Sequence, residues 1–161
     1  MQQEQSRGPV LPRTLRPDEG ERIEFMGEKV RVLADGAATG GRCFIFVETS
    51  APGFGPPLHR HGVDDEFFFV LEGRYRFVMD GREFVAEPGA FVAAPRGSLH
   101  GFVNAGPGPG RMLVITSPAG LEGPFRESQA AERRGPLTPD VLTAIFGKFN
   151  LTFEGPPVAT A

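Results

Sequence analysis

Between Ile23 and Thr116 the chain never sustains an apolar run for long. Stretches such as Phe44-Ile45-Phe46-Val47 and Phe67 to Leu71 are cut repeatedly by glycine and proline. This punctuation predicts many short strands joined by turns, hence an all-β sandwich or barrel rather than a helical bundle. The 22 glycines and 16 prolines among 161 residues give the chain its breaks, and 15 phenylalanines supply most of its aromatic bulk. A chain of this length suggests about one domain with a single core.

The strands can be placed coarsely. Ile23–Phe25, Lys29–Leu33, Arg42–Thr49, Glu66–Leu71, Arg74–Met79, Arg82–Ala86, Phe91–Ala94, Ser98–Val103 and Arg111–Thr116 all read as extended. Asp80-Gly81 is a two-residue hairpin signal, because the turn that matches strand twist needs positive φ at both positions. Residues 1–20 are polar and aperiodic and read as a flexible arm. Residues 21–118 form the β unit, and 119–161 an extension. Thr138-Pro139-Asp140 has the cap, first-turn proline and acidic residue of a helix start. Val141, Leu142, Ile145, Phe146 and Phe149 then follow at helical spacing, predicting a helix over about 138–149 that covers one face of the β unit. Gly155-Pro156-Pro157 and the remainder read as frayed.

Charge and cysteine content exclude several classes. The formal net charge is −3, so there is no basic stripe of the kind phosphate backbones require. No stretch approaches the ~20 apolar residues of a membrane span. The polar opening Met1 to Arg7 lacks the apolar core of a secretory leader, and Cys43 has no second cysteine to pair with. A cytoplasmic protein with neither nucleic-acid nor membrane partners is the expectation.

The chemistry concentrates in three histidines. His59 and His61 are two residues apart, a spacing that puts side chains on different faces of a helix but on one face of a strand. The preceding Pro52-Gly53-Phe54-Gly55-Pro56-Pro57 cannot be helical. Glu66 follows after Gly62-Val63-Asp64-Asp65, where a turn can return it to the two rings. His100 follows the turn Pro95-Arg96-Gly97, and a closed antiparallel sheet can deliver it to the same interior. A lone histidine in a β protein is ordinarily a satisfied polar residue, and Asp64 and Asp65 read as loop charges. It is the joint placement of all three histidines beside turns that points to a site. Three neutral imidazoles and one carboxylate suit one divalent ion among Fe, Mn, Co, Ni, Cu and Zn.

Two gapped patterns now stand out. Gly53, His59, His61, Glu66 and Gly73 form the first, and Gly89, Pro95, Gly97, His100 and Asn104 the second, separated by Arg74 to Pro88. Together they resemble the two motifs of the cupin superfamily, every gap respected. The resemblance implies a double-stranded β-helix, that is, a jelly-roll barrel, with His59, His61, Glu66 and His100 as metal ligands, turn-forming glycines and a structural Asn104. More loosely, Thr39-Gly40-Gly41, Gly55-Pro56-Pro57 and Ser117-Pro118-Ala119-Gly120 are similar to small single-domain cupins related to quercetin (flavonol) dioxygenases.

That resemblance implies a metal-dependent oxidoreductase of dioxygenase type. A small aromatic or enediol-type substrate and O2 would be its partners, and Glu66 the catalytic base. A metal-dependent isomerase or lyase, with Arg60, Arg96 and Arg111 available for a phosphate, and a non-catalytic metal or small-molecule binding module are the alternatives. Strand alternation makes Phe68, Tyr75, Phe77, Phe102 and Met112 candidate pocket walls. Phe67 to Leu71 is apolar on both faces of its strand, so something must cover the outer one: the arm, the helix or a second subunit. Family resemblance implies a homodimer.

Overall fold

The structure is a computed structural model and describes residues 7–161; the first six residues of the expected arm lie outside the described residues. Eleven strands and three helices follow one another as β1 (Arg22–Phe25), β2 (Glu28–Ala34), α1 (Gly36–Thr39), β3 (Phe44–Ser50), β4 (Pro57–His61), β5 (Asp65–Glu72), β6 (Tyr75–Met79), β7 (Arg82–Ala86), β8 (Phe91–Ala94), β9 (His100–Asn104), β10 (Gly110–Ser117), α2 (Glu122–Glu132), α3 (Pro139–Gly147) and β11 (Leu151–Pro157).

They form two antiparallel sheets, in the orders β1-β2-β3-β10-β5-β8 and β11-β4-β9-β6-β7. This is the expected jelly roll. Alternate residues of each central strand point into the space between the sheets. Phe44 and Phe46 of β3, Phe68 and Val70 of β5, and Met112 and Val114 of β10 meet Tyr75 and Phe77 of β6 and Phe102 of β9 there. Phe68 stands edge-on to Phe77 and Phe102, at centroid separations of 5.3 and 5.5 Å. Burial of such rings is the main favourable term holding the two layers together. The Asp80-Gly81 turn forms as expected, with φ of 47° and 80°, and sets the register Met79↔Arg82.

The structure adds to the expected elements at both ends. Past residue 6, the arm is tied to the barrel: Leu11 N–H donates to Ala38 O, Arg13 Nε to Leu33 O and Arg42 Nη1 to Gly8 O. The extension holds two helices, not one. In α2, Phe125 packs 5.5 Å from Phe46 and 6.3 Å from Phe146 of α3. The segment expected to fray is β11, which pairs with β4 through Leu151↔His61 and Phe153↔His59. Its Gly-Pro-Pro reads as punctuation in sequence, yet an edge strand tolerates proline because one row of its backbone groups needs no partner. No helix among the described residues is long and apolar enough to cross a membrane.

The loop before β4 is the tightest part of this arrangement. Gly53 N–H donates to Asn104 O and Asn104 N–H to Phe54 O, which lays the loop against β9. A Cβ on Gly55 would sit 1.8 Å from the carbonyl oxygen of Phe102, a backbone atom that no rotamer change can move. Gly55→Ala should therefore destabilise the fold by about 1–3 kcal/mol, the range of overpacking. Urea unfolding measures this, and a wild-type midpoint would show that the loop can lift away at no cost.

Candidate metal centre

His59 and His61 occupy alternate positions of β4 and point the same way, inward. β9 lies beside β4 with His100 directly opposite His59. Glu66 comes from β5 in the facing sheet, so the cluster bridges the two layers. One donor atom from each of the four residues lies within 4.8 Å of all the others. His59, His61, Glu66 and His100 are each no more than 6% exposed. The structure thus brings together the four residues that the sequence singled out.

The rings are held by the nitrogen that faces away from the cluster. His59 Nδ1 lies 2.7 Å from Pro57 O, His100 Nδ1 3.2 Å from Ser98 O, and His61 Nδ1 2.7 Å from Asp64 Oδ2. A carbonyl or carboxylate at Nδ1 accepts its proton and leaves the lone pair on Nε2, the arrangement in which imidazole ligates a metal. Asp64, which reads as a loop charge in sequence, is the carboxylate that holds the His61 ring. Its signal was an acidic side chain three residues after a histidine, within the turn that reverses the chain.

Without a cation such a cluster is electrostatically awkward. Glu66 Oε2 stands 2.9 Å from His100 Nε2 and 3.1 Å from His61 Nε2. His61 Nε2 is nonetheless buried with no aligned hydrogen-bond partner. Burial opposes a charge on His61, but Glu66 and Asp64 beside it outweigh burial and hold its pKa up at about 10. Burial and the neighbouring rings push His59 down to about 3. Burial raises Glu66, yet the His61 charge and the hydrogen bond from His100 hold its carboxyl well below the usual range. An orphaned Nε2, three tethered rings and one ionised carboxylate fit a divalent cation, which would satisfy all four donors at once.

His59, His61 and Glu66 line a cavity of about 350 Å³. Seven phenylalanines line its wall: Phe25, Phe46, Phe54, Phe102, Phe125, Phe146 and Phe153. Leu142 and Phe146 of α3 and Leu151 and Phe153 of β11 close one side, so the extension completes the cavity. Glu28 and Glu48 also line it, and neither stood out in sequence. Of the five expected wall residues only Phe102 reaches the cavity. Phe68, Tyr75, Phe77 and Met112 do not: they are at most 1% exposed and fill the closed core. Alternation identifies the inward face of a strand but not how far along the barrel packing shuts. The motif residue Asn104 donates through Nδ2 to Ser50 O and Gly108 O, tying loops together away from the donors.

Residues 46–116 match the sequence model of the cupin domain family. Among curated proteins the chain is similar to quercetin 2,3-dioxygenase of Bacillus subtilis (strain 168), 32% identical over 92 residues. That match covers 57% of this chain but 27% of the relative, so the chain spans little more than a quarter of that protein. Among solved structures, a sugar phosphate isomerase of the cupin superfamily from Silicibacter pomeroyi is 29% identical, with a TM-score of 0.57 over 65% of this chain and 75% of that one. KdgF from a Halomonas species shares the fold at 18% identity, with a TM-score of 0.62 over 69% of this chain and 97% of that one.

Proton and cation should compete for this cluster. The free cluster keeps His61 protonated through neutral pH, whereas a metal takes the neutral ring. Affinity should therefore rise with pH across the neutral range, and uptake of Zn²⁺ or Ni²⁺ at neutral pH should release protons. Calorimetry in buffers of different ionisation enthalpy counts them. His59→Ala and His100→Ala should each lose stoichiometric metal, and Asp64→Asn should weaken binding about 10- to 100-fold. Full metal content in both alanine variants would refute the ligand set.

Proposed function

We propose that this protein, whose residues 46–116 are a cupin domain, is a metal-dependent oxidoreductase of dioxygenase type acting on a small aromatic or enediol-type substrate. The observation that carries the reading is the cavity itself: seven phenylalanines around the exposed edge of a His59–His61–Glu66 cluster, with no lysine or arginine in the lining. Such a wall favours a flat apolar ligand, and the donors at one end favour an acidic oxygen on it. The 32% identity to a quercetin 2,3-dioxygenase supports the same direction.

In this reading His59, His61, Glu66 and His100 hold one divalent ion, which supplies Lewis-acid polarisation of a substrate oxygen and redox access to O2. Glu66, kept ionised by its neighbours, is the base that takes the proton of the substrate's acidic hydroxyl. The phenylalanines orient the ring and keep bulk water from the reacting carbon. Both atoms of O2 enter the products as a carbon–carbon bond breaks, so no external reductant is needed. A cytoplasmic setting, with Cys43 unpaired, belongs to this reading, as does the division into arm, barrel and extension.

A sugar-phosphate isomerase reading is weaker for this chain. The three arginines available for a phosphate are engaged elsewhere: Arg60 with Glu154 at 2.6 Å, Arg96 with Asp65 at 3.0 Å and Arg111 near Glu72 at 3.8 Å. A phosphate in the cavity would meet no lysine or arginine side chain.

The assembly we propose is a homodimer. Phe69 and Phe91 point outward from β5 and β8, 41% and 64% exposed, and Phe67 stacks on Phe91 at 6.2 Å. Among the described residues, α3 packs on α2 and β11 and the arm is tied to Ala38, Leu33 and Arg42, so neither supports a cover for these rings, and the cover proposed is a second subunit.

Two measurements test these statements. The protein reconstituted with Fe, Mn, Ni or Co should consume O2 in the presence of a flavonol. No uptake across that panel, together with recovery of an unchanged bound flavonol, would replace the enzyme by a binding module. Sedimentation at micromolar concentration should give a dimer, and Phe91→Glu should give a monomer; a monomeric wild type would overturn the assembly.

A further inference from the structure

Glu28 and Glu48 are an unusual pair for the wall of a phenylalanine cavity. They sit diagonally across β2 and β3, where Val30 pairs with Glu48, and both line the cavity. Glu48 is 7% exposed. Its Oε1 accepts a hydrogen bond from Ser50 Oγ at 3.3 Å, and Ser50 Oγ in turn lies 3.3 Å from the Tyr75 hydroxyl. Glu28 Oε2 is closed off from solvent and receives no N–H or O–H from any described group. Its neighbour is the carboxyl group of Glu48.

Two carboxyls set on neighbouring strands in a phenylalanine-lined wall resist ionising together, because burial and mutual repulsion each penalise the second charge. The titratable groups facing Glu48 are Glu28 from β2, Glu66 from β5 and Tyr75 from β6 through Ser50; β10 presents Met112 opposite it. Glu66 among these is ionised, and its negative charge adds to the penalty on a second charge at Glu48. Burial, then the Glu28 charge, pushes the Glu48 carboxyl well above its ordinary range, and burial raises Glu28 as well.

We propose that Glu28 and Glu48 share a single proton and form a second polar anchor in the cavity, one that takes a neutral hydroxyl or carbonyl oxygen of an aromatic ligand while the histidine cluster takes its acidic oxygen. A carboxylic acid beside a carboxylate offers one donor and free acceptors, which complements a phenolic hydroxyl and repels an anion. The pair therefore selects aromatic substrates with two oxygen functions over those with one. The aromatic class rests on the preceding reading; the shared proton does not.

The test separates the two. Infrared difference spectra at neutral pH should show a neutral carboxyl stretch in the wild type that is lost in Glu48→Leu and Glu28→Met. A wild type without that band overturns the shared proton, whatever the enzyme does. Zinc-loaded full-length protein, inert toward O2, is then titrated with quercetin and with 3-hydroxyflavone, which lacks the additional hydroxyls. The wild type should prefer quercetin. Glu48→Leu should cut that preference roughly three- to tenfold, the worth of one hydrogen bond, with 3-hydroxyflavone binding unchanged. Glu48→Gln, which keeps a donor and an acceptor, should restore most of it. An unchanged preference in Glu48→Leu, an equal loss for both probes, or a wild type that binds neither overturns the anchor. So does uptake of a second metal ion by the wild type that Glu48→Gln abolishes, because the pair would then be an ionised cation site. Failure of the dioxygenase reading alone appears as absent O2 uptake with these binding results intact.

Discussion

Four donors from opposite sheets converge to within 4.8 Å of one another, and much of the chain is arranged to make that possible. β4 must lie flat between β9 and β11 for both of its histidines to face inward. β5 must cross on the other layer to bring Glu66 within 2.9 Å of His100. Each imidazole must be turned by its far nitrogen, through Pro57 O, Asp64 or Ser98 O. Removing one tether leaves the backbone trace intact but frees a ring to rotate out of the cluster. The local chemistry is thus decided as much by two carbonyls and an aspartate as by the four donors.

What could be read in the sequence followed from strand periodicity and from turn chemistry. The spacing of His59 and His61 fixes their common face once the preceding prolines exclude a helix, and the turn residues around Glu66 and His100 permit convergence. Asp80-Gly81 places a hairpin to the residue. β11 was not legible, because Leu151 to Pro157 combines one apolar pair with a Gly-Pro-Pro that local rules assign to a loop. Its pairing with β4 is a long-range fact. Phe68, Tyr75, Phe77 and Met112 were assigned to the right face but the wrong depth. Depth along a barrel depends on where opposite sheets touch, a property of no single strand.

The extension matters more to function than its composition suggests. α3 and β11 supply Leu142, Phe146, Leu151 and Phe153 to the cavity lining, so the apolar enclosure is made partly by residues outside the stretch that matches the cupin domain. Chains that share the barrel and the donor set can therefore differ in what they enclose. The proposed preference for an aromatic ligand over a sugar phosphate therefore rests on the lining rather than on the four donors.

Packing alone would not choose this interior. Phe44, Phe46, Glu48 and Ser50 are successive inward positions of β3, and the first two are what a jelly-roll core asks for. A leucine at position 48 would bury comfortably beside Met112 and Phe46, whereas a carboxyl there must be kept neutral or solvated at a cost of order 1–3 kcal/mol. The same reasoning applies to His59, His61 and Glu66, where apolar residues of equal volume would remove desolvation with little loss of contact. Glu48, His59, His61 and Glu66 gather on the wall of one cavity, while Phe68, Tyr75, Phe77 and Met112 fill the closed core beside it. In a domain whose stability margin is small, polar groups held together against the preference of their surroundings are sites where binding chemistry outweighs packing.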